Sequence, residues 1–124
     1  MSSKEKFMLW CHELTEFCLA NGGVLFKTWT RERVFLHLAV NSIAGTLFVV
    51  KNNDKVKAVG IAKPMNQDCV FVEEVIGNRE SCREIYRRVM QKWPTLKRAF
   101  SERADKDGKF RFVELKGVHR LCRT

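Results

Sequence analysis

Between Cys69 and Trp93 the chain changes its period, and that change constrains the fold more than any other stretch. The segment reads CVFVEEVIGNRESCREIYRRVMQKW. Val70, Val72, Glu74 and Ile76 recur at every second position, the period of a strand with one apolar face. From Cys82 the apolar positions become Cys82, Ile85, Tyr86, Val89, Met90 and Trp93, which is helical spacing and forms one stripe. Gly77-Asn78 joins the two halves. Asn78 can cap the helix, Glu80 complements its first turn and Pro94 ends it. A strand running into a helix N-terminus leaves backbone amides free to meet an anion.

The rest of the chain arranges itself around this unit. Residues 4–20 predict an amphipathic helix with Phe7, Cys11, Leu14 and Cys18 inward and Met8 and Thr15 beside them. It stops at Asn21-Gly22-Gly23. Val24-Leu25-Phe26 is a short apolar connection. Thr28 or Thr30 can cap a second helix through about Ser42, with Val34, Phe35, Leu38 and Ile43 inward and His37 close to that stripe as a half-buried, hydrogen-bonded residue. Two apolar strands, 46–51 and 56–63, flank the turn Asn52-Asn53-Asp54-Lys55. Pro64 closes the second, and residues 65–68 turn into the strand at 69–76. After the helix at 79–93, strands are expected at 96–103 and 109–115, joined by Asp105-Lys106-Asp107-Gly108 and followed by a basic, loosely held tail from Gly117. Helix, helix, three strands, helix, two strands describes one α+β domain over residues 1–124, an antiparallel meander with N-terminal helices and a central helix after the third strand.

Composition narrows the functional classes. With 124 residues, 45% hydrophobic and 30% charged, the chain suits a folded core. No apolar run approaches a membrane span, and MSSKEKFMLWCHE lacks a secretory apolar core, so a cytosolic location is expected. The five cysteines form no CxxC pair, so reduced thiols are expected, with Cys11 and Cys18 as buried filler. No ligand spacing supports a zinc site built from them with His12, His37 or His119, and no metal is expected. The net charge of +9 favours an anionic partner: nucleic acid, a phosphorylated cofactor or an acidic protein.

The order of elements, with Lys51–Trp93 as meander, strand and helix, resembles the GNAT-type N-acetyltransferases. The resemblance is topological and covers about a third of the chain. It implies a GNAT-like fold, an acyl-CoA partner (acetyl-CoA or another acyl-CoA) and N-acyltransferase activity, reduced or lost in a divergent member of a kind found in viral and mobile-element proteomes. By this resemblance Val75, Ile76, Gly77, Asn78, Arg79 and Ser81 contact the cofactor. Glu73 or Glu74 would be the general base, and Tyr86 would stand where a tyrosine serves as general acid. The family's phosphate loop carries several glycines, whereas Gly77-Asn78-Arg79-Glu80-Ser81 has one glycine and a glutamate. The family's opening strand has no counterpart here.

The residues themselves leave other readings open. Alternation places Glu73 and Glu74 on opposite faces, with Glu74 sharing the face of Val70, Val72 and Ile76. Either can instead be solvated or paired with Lys57, Arg83 or Arg111. Arg79 at a helix start is unfavourable with the dipole unless it meets an anion; pairing with Glu80 or Glu84 is the alternative. Tyr86 lies in the apolar stripe and suits core packing. Phe110 and Phe112 alternate with Lys109 and Arg111, a pattern some sheets use to bind single-stranded nucleic acid. The basic helix face Arg79, Arg83, Arg87, Arg88 and Lys92 is a solvated surface or a docking patch for a polyanion or an acidic protein. The alternative to acyl transfer is therefore a noncatalytic basic binding module.

Overall fold

A computed structural model describes residues 1–22, 26–104 and 107–116. Most of the apolar connection at 24–26, half of the turn at 105–108, and the tail with His119 and Cys122 lie outside the described residues. The elements are α1 (Ser3–Asn21), α2 (Arg31–Ala44), β1 (Leu47–Asn52), β2 (Lys55–Pro64), β3 (Cys69–Gly77), α3 (Arg79–Lys92), β4 (Arg98–Ala104) and β5 (Phe110–Glu114). This is an α+β arrangement of three helices and a five-stranded mixed sheet among the described residues.

Local chemistry sets the boundaries. Ser2 caps α1 by accepting the Glu5 amide, and Gly22 ends that helix in the left-handed region at φ 60°. Thr30, not Thr28, caps α2 by accepting the Arg33 amide at 3.2 Å. Asn78 caps α3 by accepting the Ser81 amide at 2.8 Å. The β1–β2 turn places Asn53 and Asp54 at φ 53° and 62°, the two left-handed residues a tight hairpin of this hand requires.

The strands lie in the order β1-β2-β3-β4-β5, antiparallel except for β3 beside β4. The α1–α2 pair covers one face, where Leu14, Cys18, Phe26, Val34 and Leu38 pack with Val59, Ile61 and Ile76. Helix α3 covers the other, where Ile85 and Val89 pack with Phe48, Val50, Ala58, Ala62, Val70 and Val72. Each fully buried Leu or Ile in these layers contributes about 1.5–3 kcal/mol. Ile43 is not inward: it is 78% exposed, because α2 buries Val34, Leu38 and Asn41, and a position two residues past Asn41 points to the far side. Met8 is likewise exposed.

Gly77 joins β3 to α3 at φ 148°, a conformation side chains rarely adopt. A Cβ there would lie 2.5 Å from the Lys57 carbonyl oxygen and 2.7 Å from Ala58 Cβ. Gly77→Ala is expected to destabilise the fold by about 1–3 kcal/mol, read as a lower denaturant midpoint with unchanged slope. An unchanged midpoint would show that the junction relaxes freely.

Candidate active site at the β3 bulge

The site begins with an irregularity in β3. Ile61 of β2 pairs with Glu74, but the next residue, Ala62, pairs with Val72, so Glu73 is an extra residue on β3. A bulge of this kind breaks the alternation of faces. Val70 and Val72 face α3, whereas Ile76 packs with the α1–α2 cluster and Val75 with the α3 cluster. This corrects the alternating pattern: Glu74 does not share a face with Val70 and Val72, and the two glutamates do not point to opposite sides. Glu73 meets α2, and the charge of Glu74 is felt by Cys18 of α1.

Glu73 lies at the centre of a cluster drawn from three elements. His37 Nε2 of α2 stands 2.9 Å from its Oε1. That contact requires the proton on Nε2 when the ring is neutral; Asn41 Nδ2, 3.4 Å from the same ring nitrogen, then donates to the His37 carbonyl oxygen at 2.8 Å. Thr46 Oγ1 donates to Asn41 Oδ1 at 2.7 Å and holds the amide in that orientation. The Trp29 ring packs edge-on against the imidazole at 5.1 Å, with the Arg33 guanidinium over it at 3.9 Å. Lys63 Nζ of β2 lies 3.4 Å from Glu73 Oε2. The two charges attract, but they are not aligned as a hydrogen bond, and Oε2 is buried without a hydrogen-bond partner among the described residues. None of Lys57, Arg83 and Arg111 pairs with Glu73. A carboxylate with one oxygen held and the other open can accept a proton from a bound group.

Beside this cluster the pairing of β3 with β4 is short. The parallel ladder of β3 and β4 has three pairs, Cys69 with Arg98, Val70 with Ala99 and Phe71 with Phe100. From Val72 to Gly77, β3 has no ladder partner on the β4 side among the described residues. Phe112 of β5 stacks on Phe100 at 5.0 Å and on Phe71 at 6.1 Å, its plane tilted 10° and 11° from theirs. Phe110 and Phe112 remain more than half exposed. The unshifted β4–β5 register puts Glu102 and Glu114 on the same face as these rings, and Arg103 and Arg111 on the other. Arg98 lies over Phe100 and forks onto Glu114 at 2.7 and 3.3 Å, which holds the Glu114 carboxyl below its ordinary range.

The start of α3 is occupied in part by its own cap. Asn78 takes the Ser81 amide, leaving Arg79 and Glu80 to supply the free amides of the first turn. Arg79 is exposed and forms no ion pair among the described residues, whereas Glu84 pairs with Arg87 and Arg88. A cleft of about 430 Å³ opens here, lined by Lys51, Lys57, Ser81, Glu84 and Arg87 among others. Val75 and Ile76 lead into this junction as packed residues. Tyr86 packs in the α3 layer, on the opposite face from Glu73 and His37, so the two are not brought together.

The cysteines lie outside this chemistry. Cys11 and Cys18 are fully buried, and the Cys18 thiol is pushed up to about 12 by burial, with the Glu74 charge adding to it. Among the described residues no cluster of three His, Cys, Asp or Glu side chains could hold a metal ion, and no helix is long and apolar enough to cross a membrane. Comparison with known protein families, curated proteins and solved structures gives no match to this chain.

The Cys18 environment carries a test of the packing around the glutamates. Folding keeps the thiol protonated above its unfolded value of about 8.5. The folded state then binds more protons than the unfolded state, so stability is full below pH ~8.5 and falls as pH rises toward 12. The expected slope from this group is up to ~1.4 kcal/mol per pH unit. Denaturation between pH 8 and 10.5 should show a shallower loss in Cys18→Ala than in the parent; equal slopes would place the thiol in contact with solvent.

Proposed function

We propose that this chain is an acyl-CoA-binding protein with a GNAT-like arrangement, in which Glu73 serves as the general base toward an acceptor amine. The observation that carries this reading is the interrupted parallel ladder. Two parallel strands that pair for three residues and then part would leave a slot between them, and β3 runs directly into α3. An acyl thioester entering between β3 and β4 would reach the bulge at Glu73. Its phosphates would meet the Arg79 side chain and the amides of Arg79 and Glu80, since the Ser81 amide is already taken by Asn78. Val75, Ile76 and Gly77 would form the wall of the slot.

The chemistry asked of the protein is modest. Glu73 Oε2 receives a proton from the attacking amine, and His37, fixed through Asn41 and Thr46, holds the other carboxylate oxygen in place. Such positioned proton transfer contributes about 10²–10⁴-fold. Tyr86 has no part in this step. Glu80 beside the phosphates weakens binding, which suits a divergent member with reduced activity.

A basic module for single-stranded nucleic acid is the alternative, favoured by the stacked rings of Phe71, Phe112 and Phe100. The carboxylates of Glu102 and Glu114 on that same face argue against it. The deciding experiment is a thermal-shift titration with CoA and acetyl-CoA, beside short DNA and RNA at two salt concentrations. A ligand at 100 times its Kd stabilises by ~2.7 kcal/mol, a shift of several degrees. We expect a CoA-specific shift that shrinks in Arg79→Glu. No shift with CoA, together with salt-sensitive nucleic-acid binding, would replace this reading with the alternative.

A further inference from the structure

We propose that Lys63 is an internal acyl acceptor, its ε-amine acylated in place by the acyl thioester the chain binds. The inference rests on the acyl-CoA reading above and adds a modification site to it. Lys63 is the cross-strand partner of Phe71, and Phe71 is the last β3 residue in ladder with β4. Its ammonium therefore stands on β2 at the level where the slot between β3 and β4 begins. The bulge then brings the Glu73 side chain to it: Nζ lies 3.4 Å from Oε2, the oxygen that lacks a hydrogen-bond partner among the described residues. An acceptor amine served by Glu73 would have to occupy this same place.

The surroundings favour reaction over permanent pairing. Lys63 is 45% exposed, so its side chain is not locked, while Glu73 is 17% exposed and held from the far side by His37. Lys51, by contrast, pairs with Glu13 of α1, and Lys92 donates to the Gly45 carbonyl. Tethering the amine to the sheet replaces a collision with an internal step, the arrangement that produces high effective concentrations. The step balances without a further reagent. Lys63 Nζ gives one proton to Glu73, and its lone pair forms a C–N bond to the thioester carbonyl carbon. The C–S bond breaks, the second Nζ proton goes to the departing sulfur, and Glu73 returns its proton to solvent. The products are an ε-acyl-lysine and free CoA thiol. The modified side chain no longer carries a charge, so Glu73 keeps His37 as its partner and the acceptor position is filled by an amide.

The test is incubation of the full chain with acetyl-CoA at pH 8, with site-by-site acetylation measured by mass spectrometry against time. CoA binding is followed in parallel by thermal shift on the same samples. Lys63 is expected to react at least about tenfold faster than the other lysines and to fall to their background rate in Glu73→Gln, a variant that retains an oxygen to accept from His37. Lys63→Arg should lose the modified peptide while keeping the CoA shift, which guards against a misfolded Glu73 variant. A CoA shift with Lys63 reacting at the background rate, or reacting equally in Glu73→Gln, overturns self-acylation and leaves the binding reading intact. Absence of both the shift and the Lys63 signal overturns the two together.

Discussion

Burial of β2 on both faces is the constraint on which the structure depends. From Ala58 to Ala62 every residue is inside, covered by α1 and α2 on one side and by α3 on the other. Such a strand must be apolar throughout and narrow where a helix presses on it, and AVGIA meets both demands. At Gly60 a side chain would strike Ile85, so α3 rests on backbone there and Ile85 fills the space a methyl would take. The position of α3 then fixes where β3 must end, and Gly77 makes the junction.

Much of this framework was legible in the sequence because its signals are local. Caps, the two left-handed turn residues after Asn52, and the shift from two-residue to helical spacing at Gly77 each need only neighbouring residues to act. The bulge was not legible from alternation alone, because it is decided by how β3 meets β2. One trace of it was present: Glu73-Glu74 is followed by Val75-Ile76, two adjacent polar residues and then two adjacent apolar ones, which a regular strand with one buried face does not accommodate. His37 was expected to be half-buried and hydrogen-bonded, and it is. That its partner is Glu73 follows from the packing of α2 on the sheet, which no local pattern encodes. Thr30 and Ile43 show the same division: the cap was a local choice between two threonines, while Ile43 is outward because the buried stripe of α2 ends with Asn41.

The two ends of the proposed slot differ in quality. At the bulge, His37, Glu73 and Lys63 come from α2, β3 and β2 and converge through contacts of 2.9 and 3.4 Å. At the α3 start, one amide is consumed by Asn78 and a glutamate stands in the first turn, so the anion-binding capacity of the helix dipole is partly offset. Positive charge nearby, from Arg79 and the +9 excess of the chain, compensates at long range. On the proposed reading, the acceptor side of the slot would be better built than its phosphate side.

The open oxygen of Glu73 is hard to account for on stability alone. Leaving a buried acceptor without a hydrogen bond costs about 1–3 kcal/mol, and an apolar residue at the bulge would remove that cost while extending the packing of Ile61 and Ile76. The surrounding network is otherwise satisfied: His37 is held by Glu73, Asn41 by the His37 carbonyl, and Thr46 by Asn41. Among the described residues the network is complete except for one carboxylate oxygen, which faces the half-exposed Lys63 in an ion pair at 3.4 Å; on the proposed reading that oxygen would take the proton. The bulge makes this possible, because only a residue displaced from the regular ladder can turn toward α2 while its neighbours keep both cores closed.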